Sequence, residues 1–348
     1  MRKGRLSIKI KGKDILNHYV LRLTYTEAVG ELDGMTVTFV VPHSKKKDIT
    51  PLLEPGLPFE LEIKDDSGSS VAKREGDVVA VNHEKRGSKW TVTLVGLNYL
   101  HRLRNEHITQ LWEDPHDKIV KTIAGRAKPS LTAKVQGVDS SSDFTFQQGE
   151  TDALFLMRLA REHNYYCRVM GKELHFGRRD LTKGKVKVQY AKDVIDIRLT
   201  ANLKDHLNEV HVFWGDPEKD GTKQTKVTYK TAPKATNSGG KLGADIGKKA
   251  FGVKSLTIGG YDAPMYKNQS EAKAKAKAEL DVAALDFVEG VVVTRGAYNA
   301  AVGANLELIG AGWPFDGTFI ITKVFHEFAF DGLRTEITFK ANSLPKSK

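Results

Sequence analysis

From the N-terminus to about position 100 the chain alternates apolar and polar side chains in short runs, the two-residue period of strands that bury one face. The runs are Leu6-Ser-Ile-Lys-Ile10, Tyr19-Val-Leu-Arg-Leu-Thr-Tyr25, Met35-Thr-Val-Thr-Phe-Val-Val41, Phe59-Glu-Leu-Glu-Ile63, Asp77-Val-Val-Ala-Val81 and Trp90-Thr-Val-Thr-Leu-Val95. Asp33-Gly34, Pro55-Gly56, Ser67-Gly68 and Arg86-Gly87 punctuate them as turns. Six such strands predict a small antiparallel β-barrel or sandwich over residues 1–105.

The period then lengthens. Asp114 is placed to cap a helix with Pro115 at its first position, and Ile119, Val120, Ile123 and Ala124 fall on one face. A second helix is predicted from Asp152 to His163, with Phe155, Leu156, Leu159 and Ala160 as its buried stripe. It runs into the strand Tyr165-Tyr-Cys-Arg-Val-Met170, the turn Gly171-Lys172 and the strand Glu173-Leu-His-Phe176. Residues 106–183 therefore read as a small α/β insert.

Strand patterning returns in Lys185-Val-Lys-Val-Gln-Tyr190, Val194-Ile-Asp-Ile-Arg-Leu199 and Glu209-Val-His-Val-Phe-Trp214. Residues 215–265 lose periodicity and are rich in Lys, Gly, Thr and Ser, most of all over Lys234 to Gly243, which predicts a flexible excursion. Ser270 is placed to cap a helix over about 270–288 that Gly290 ends, with Lys273, Lys275 and Lys277 toward solvent. Strands close the chain at Val291-Val-Val-Thr294, Asn305-Leu-Glu-Leu-Ile309, Thr318 to Phe325 and Thr335-Glu-Ile-Thr-Phe339.

The last strands echo the first region. Phe59-Glu-Leu-Glu-Ile63 lies over Asn305-Leu-Glu-Leu-Ile309, the segment Gly76 to Glu84 over Gly317 to Glu327, and Gly87 to Leu94 over Gly332 to Phe339. The fold class predicted is α+β, mainly β: two similar antiparallel β-barrel domains, 1–105 and 184–348, separated by the 106–183 insert.

Composition narrows the chemistry. The 348 residues carry 54 Lys and Arg against 43 Asp and Glu, a formal charge of +11 with both signs interspersed. One cysteine, Cys167, excludes an internal disulfide and a multi-cysteine metal site, and a strand position predicts an inert buried thiol. The N-terminal ten residues lack the apolar core of a secretion signal, and no apolar run approaches a membrane span. Synthesis in the cytoplasm without membrane insertion is expected.

Candidate sites are weak. His83-Glu84 and His326-Glu327 lack the second histidine of a zinc helix and lie in strand patterns. Gly243 to Lys249 has the wrong glycine spacing for a phosphate loop, with Lys249 where Ser or Thr belongs. His101, His107 and His116 have no metal partners nearby in sequence, and Asp65-Asp66 and the pair Asp139 and Asp143 sit in turn sequences. The lysines at 45–47, 183–187 and 219–254 lack interleaved aromatics and read as solvated faces. No catalytic residue, cofactor or metal is predicted.

The run Gln148-Gly-Glu-Thr-Asp-Ala-Leu-Phe-Leu-Met-Arg-Leu-Ala-Arg-Glu-His-Asn-Tyr-Tyr166 resembles the segment of VgrG and phage late-control gene D proteins in which an acidic cap leads into Phe-Leu-x-Arg-Leu-Ala and an aromatic strand. Gly317 to His326 is similar to the closing barrel strands of the same proteins. The resemblance implies a non-enzymatic baseplate hub of a contractile phage tail or injection particle. Such a hub is a homotrimer whose duplicated barrels give a pseudo-sixfold ring, adapting a sixfold inner tube to a threefold spike.

Phe59, Leu61, Ile63, Leu306 and Leu308 are then candidate ring or interface strands. The expected partners are the chain itself, an inner tube protein, a separate spike protein, since the sequence stops at Lys348 just after the second barrel, and other baseplate or tape-measure components. A specific nucleic acid is not expected. The rival readings are a basic nucleic-acid-binding β-protein, resting on the charge and lysine clusters, and a tail-associated cell-wall hydrolase.

Overall fold

Alternation places most of the strands. The computed structural model describes residues 5–65, 67–87, 89–138, 145–178, 184–215, 225–260, 266, 268–330 and 332–346. Its first region contains β1 (Arg5–Ile10), β2 (Val20–Ala28), β3 (Gly34–Val41), the short helix α1 (Lys46–Ile49), β4 (Pro58–Lys64), β5 (Ser70–Arg86) and β6 (Lys89–Asn98). The insert follows with β7 (His107–Trp112), α2 (His116–Arg126), β8 (Thr132–Gln136), β9 (Thr145–Thr151), α3 (Asp152–Glu162), β10 (Tyr166–Met170) and β11 (Glu173–Gly177). The last region contains β12 (Lys185–Gln189), α4 (Tyr190–Asp193), β13 (Val194–Ala201), β14 (Glu209–Trp214), β15 (Thr225–Tyr229), α5 (Gly243–Phe251), β16 (Ser255–Ile258) and α6 (Gln269–Leu285). It closes with β17 (Val288–Thr294), β18 (Asn305–Ile309), β19 (Gly317–Ala329) and β20 (Gly332–Ala341).

The fold is mainly β and is organised by one curled twelve-stranded sheet in the order β1-β4-β5-β6-β3-β2-β19-β20-β17-β13, with β18 on β19 and β12 on β18. Read by rank, the first six strands run β1-β4-β5-β6-β3-β2 and the second six β12-β18-β19-β20-β17-β13, the same order. The two sets are joined where β2, the edge of the first, pairs with the part of β19 beyond β18, from Leu23 opposite Phe328 to Ala28 opposite Lys323. Within this sheet pairing is antiparallel except between β12 and β18, which run parallel where antiparallel strands were predicted.

Matching bulges bend the long strands. The β5–β6 register skips between Val78 and Ala80, and the β19–β20 register between Ile321 and Lys323. Each bulge adds a residue on one side and steepens the local twist, so one strand serves two neighbours around a corner. The bulges also correct the alignment of the repeat. Phe59 faces Gly76 and Leu306 faces Phe319, so Phe59 corresponds to Leu306, not to Asn305. A one-residue slip exchanges the faces of a strand, which is why Asn305 is half-buried while Phe59 and Leu306 are fully buried.

Separate hydrophobic clusters fill the described residues. Leu23, Tyr25, Phe39, Phe59 and Leu94 pack in the first set of strands, and Val292, Leu306, Phe319 and Phe339 in the second. In the insert, Ile119 and Ile123 of α2 meet Phe155, Leu156 and Leu159 of α3. A side sheet of β15, β14 and β16 is covered by α6 through Ala272, Ala276 and Leu280.

Helix ends differ from expectation in detail. Pro115, not Asp114, occupies the cap position of α2, and Asp114 instead takes the Lys118 ammonium at 2.6 Å. Asn268 caps α6 by accepting the Glu271 amide at 2.9 Å, two residues before the predicted Ser270. Gly290 does not stop that helix. It lies inside β17, where a Cβ would come within 2.5 Å of the Phe339 ring.

The stretch expected to be a flexible excursion carries structure over 225–260, namely β15, α5 and β16. Its Lys234 to Gly243 part is fastened to the residues after β20. The Asn237 amide donates to Ser343 Oγ at 2.9 Å, its side chain accepts from the Thr318 amide at 2.7 Å, and Asn342 Oδ1 accepts from the Thr236 amide at 2.7 Å. Side-chain to backbone bonds of this kind leave no apolar period to read. Residues 216–224 and 261–265 lie outside the described residues.

Leu159 sits at the centre of the insert core, so Leu159→Ala should lower stability by about 2–5 kcal/mol in urea denaturation, and Leu159→Asp should leave no soluble folded chain. A soluble Leu159→Asp protein melting like the wild type would overturn this placement.

Candidate functional site

β2 alternates Leu23, Tyr25 and Glu27 inward, which sets a carboxylate in an otherwise apolar row. Glu27 is 0% exposed. An isolated charge there would be prohibitively desolvated, so it must be paired. Arg74 Nε, from β5, donates to Glu27 Oε1, and Arg168 Nη2, from β10, donates to Oε2 at 2.9 Å. The Val302 amide points at the same Oε2 at 3.4 Å, and Arg168 Nη1 donates to the Val302 carbonyl at 2.7 Å. One carboxylate thus joins both sets of strands and the insert.

The neighbours respond to this charge and its burial. Burial alone would raise the Glu27 carboxyl, but Arg74 and Arg168 outweigh it and hold it low. Asp33 goes the other way: burial, reinforced by the Glu27 charge, pushes it to about 7, although Asn98 Nδ2 donates to it at 3.0 Å. His326 on β19 is fully buried, bonds Thr335 Oγ1 through Nδ1 at 3.0 Å, and is pushed down to about 4 by burial.

Beside the cluster, the insert and the second set of strands leave a cleft of about 660 Å³. Leu154 and Met157 of α3 form one wall, Val282 and Leu285 of α6 the other, and Asp33 and Arg168 reach its floor. A second cavity of about 640 Å³ adjoins it past Asn164 and Tyr166. Cys167 also lines the cleft, but burial pushes its thiol up to about 12, which leaves it un-ionised and not a nucleophile. Among the described residues, no group of three His, Cys, Asp or Glu side chains converges as a metal site. No helix of the described residues is long and apolar enough to cross a membrane.

The five residues predicted to form ring or interface strands all point inward. Phe59 and Leu61 lie in the first core, and Leu306 and Leu308 in the second, so the two pairs do not meet. Ile63 instead packs against Tyr298 and Leu333, bridging the two sets of strands. The side chains that β4 and β18 offer outward are the alternate ones, such as Glu60 and Ile309.

The weak candidates resolve into structural roles. His83 stacks on Trp90, and Glu327 pairs with Arg22 at 2.6 Å. His101 does have a carboxylate, Asp77, at 2.8 Å, which Arg102 also grips at 2.7 Å and 2.9 Å. His107 bonds the Gly149 carbonyl at 2.9 Å and His116 bonds Thr145 Oγ1 at 3.3 Å. Gly243 and Gly247 of α5 are packing glycines, since a Cβ would strike the Phe287 and His206 rings. Asp65 accepts the Ser67 and Ser69 amides as turn chemistry requires. Asp66, Asp139, Asp143, Lys183, Lys219 and Lys223 lie outside the described residues.

Glu27, Asp33, Arg74 and Arg168 escaped sequence reasoning. The signal available was an acid at an inward position of an alternating strand; its partners are 47 and 141 positions away.

Three comparisons bear on this architecture. Residues 104–329 match the family described as the Alg8 N-terminal domain. A search of curated proteins finds no match. Among solved structures, the tail protein of prophage MuSo2 from Shewanella oneidensis superposes with a TM-score of 0.67 at 13% identity, over 97% of this chain and 98% of that one. A tail protein from Neisseria meningitidis gives 0.68 at 14% identity, over 97% and 96%. An E. coli component of the type VI secretion system, described as structurally similar to T4 bacteriophage tail proteins, gives 0.62 at 12% identity, over 97% and 76%. At such identities the likeness is one of fold.

The cluster makes a pH prediction. In the folded chain Asp33 holds its proton up to about pH 7, against about 4 for a free carboxyl. The folded state therefore binds more protons between those values, and the contribution of Asp33 to stability falls as pH rises. His326 has the opposite sign, costing stability as pH falls from about 6.5 toward 4. Asp33→Asn should thus gain about 2–3 kcal/mol relative to wild type between pH 5 and pH 8 in urea denaturation. An unchanged difference at the two pH values would contradict the assignment.

Proposed function

The chain belongs to the Alg8 N-terminal domain family, and we propose that it is a structural, non-enzymatic subunit of a phage tail or injection-particle baseplate. In this reading it is a hub: residues 1–105 and 184–348 act as two similar barrel-like units, and 106–183 is the insert that braces them. Three copies form a ring of six such units, which meets a sixfold inner tube on one side and a threefold spike on the other.

The observation that carries the reading is the repeated strand order, β1-β4-β5-β6-β3-β2 followed by β12-β18-β19-β20-β17-β13. A threefold assembly of single units offers three equivalent surfaces, whereas three chains with a duplicated unit offer six nearly equivalent ones. The fold shared with tail proteins supports the same setting. So does the surface, since Phe330, Phe251, Trp313 and Leu21 are large apolar side chains left exposed on the single chain. The outward residues of β4 and β18 are proposed to meet neighbouring subunits.

Absolute mass by light scattering during size-exclusion chromatography tests this. Three chains of 38.6 kDa should give a peak at about 116 kDa, free of nucleic-acid absorbance. A monomer at every concentration counts against a self-assembling ring, and salt-releasable nucleic acid in the peak favours the nucleic-acid reading instead.

A further inference from the structure

One end of the main sheet concentrates positive charge that the fold gathers from two distant segments. Lys45, Lys46 and Lys47 lie at the start of α1, after β3, while His83, Lys85 and Lys89 flank the β5–β6 turn. Strand pairing brings them together, because Trp90 stands opposite both Val41 at the end of β3 and Lys85 on β5. The Lys46 ammonium lies 5.2 Å from the centre of the Trp90 ring, and His83 stacks on that ring at 5.7 Å with planes 7° apart.

All five lysines are exposed. Asp48 lies 3.8 Å from Lys45. Their backbone supports are fixed, since Ile49 of α1 is fully buried and Trp90 packs against the first core. The cations are therefore held near one another against their mutual repulsion, an arrangement that a surface of opposite charge stabilises.

We propose that this end of the sheet is a docking face for an acidic protein surface. Two observations favour protein over nucleic acid. Trp90, the indole within the cluster, is only partly exposed and already holds Lys46 and His83 against its ring. At the same end of the sheet stand two exposed apolar side chains, Leu21 near the start of β2 and Phe330 in the β19–β20 turn, 56% and 100% exposed. Their place follows from the pairing of Val20 with Phe39, and of Phe328 with Leu23. Apolar anchors beside a charged field are the composition of a protein interface. The inference does not depend on the ring of three.

The test measures binding of the full chain to three polyanions of matched charge: poly-L-glutamate, a random glutamate–tyrosine copolymer and oligothymidine. Both polypeptides should bind with salt-sensitive affinity, the copolymer more tightly. Changing Lys46, Lys47 and Lys85 to Glu should weaken both by about tenfold or more. The same reversal at exposed Lys241, Lys248 and Lys249 should change little. Phe330→Asp should remove the copolymer's advantage and leave poly-L-glutamate binding as it was. Circular dichroism checks that each variant is folded, and Lys→Gln versions of the first triple should show a smaller loss in the same direction. Tighter binding of oligothymidine, equal losses from the two lysine triples, or no binding of either polypeptide overturns the proposal. A copolymer advantage that survives Phe330→Asp overturns its apolar part.

Discussion

A single carboxylate at the seam of the sheet sets the terms for the rest. Glu27 lies on β2, the strand through which the first six strands join the second six, and it has no access to water. Its charge is tolerable only while Arg74 and Arg168 remain in place, and those arginines belong to the first set of strands and to the insert. Burying a paired charge yields little net stability compared with an apolar residue of the same size. It does make wrong arrangements costly, because any docking that withdraws Arg168 strands a buried carboxylate. The cluster is thus better understood as a device for position than as a source of stability.

That device explains the neighbouring cleft. Arg168 ties β10 to Glu27 and to the Val302 carbonyl, so the insert approaches the second set of strands through polar contacts at one point. Further out, α3 and α6 stand apart with Leu154 and Val282 partly exposed between them. Asp33 inherits its raised proton affinity from this geometry: it is buried near Glu27, and the arginines that neutralise Glu27 compensate it less. The unusual titration of Asp33 is a by-product of its burial beside the Glu27 charge.

How much of this was legible in the sequence depended on the range of the interaction. The strands around Leu61, Val37 and Leu94, and the helix stripe of Phe155 and Leu159, follow from local period and appear where expected. The repeat was visible in the order of its strands, yet Phe59 was laid on Asn305, because the alternation of β18 is short and the bulge that sets its register leaves no mark in composition. Gly290 looked like a helix stop because a glycine's need for space beside Phe339 is a contact 49 positions away. Residues 234–243 looked irregular because Asn237 and Asn342 hold them by hydrogen bonds that have no period. The Glu27 cluster was the least legible, since neither arginine is near it in sequence.

The difference between the two sets of strands matters as much as their likeness. β1 runs antiparallel to β4, but its counterpart β12 runs parallel to β18. The described sheet therefore ends on β1 at one side and on β13, with β12 on the branch, at the other, and these ends differ in sequence and in strand direction. A twofold dimer needs one surface that complements itself, which two unlike ends do not provide when they meet. Contact between β1 of one copy and the far end of the next is heterologous, and a heterologous contact closes into a ring when its rotation allows. Within the proposed hub, the repeated order would supply near-sixfold surfaces, and the unlike ends would let successive copies meet head to tail.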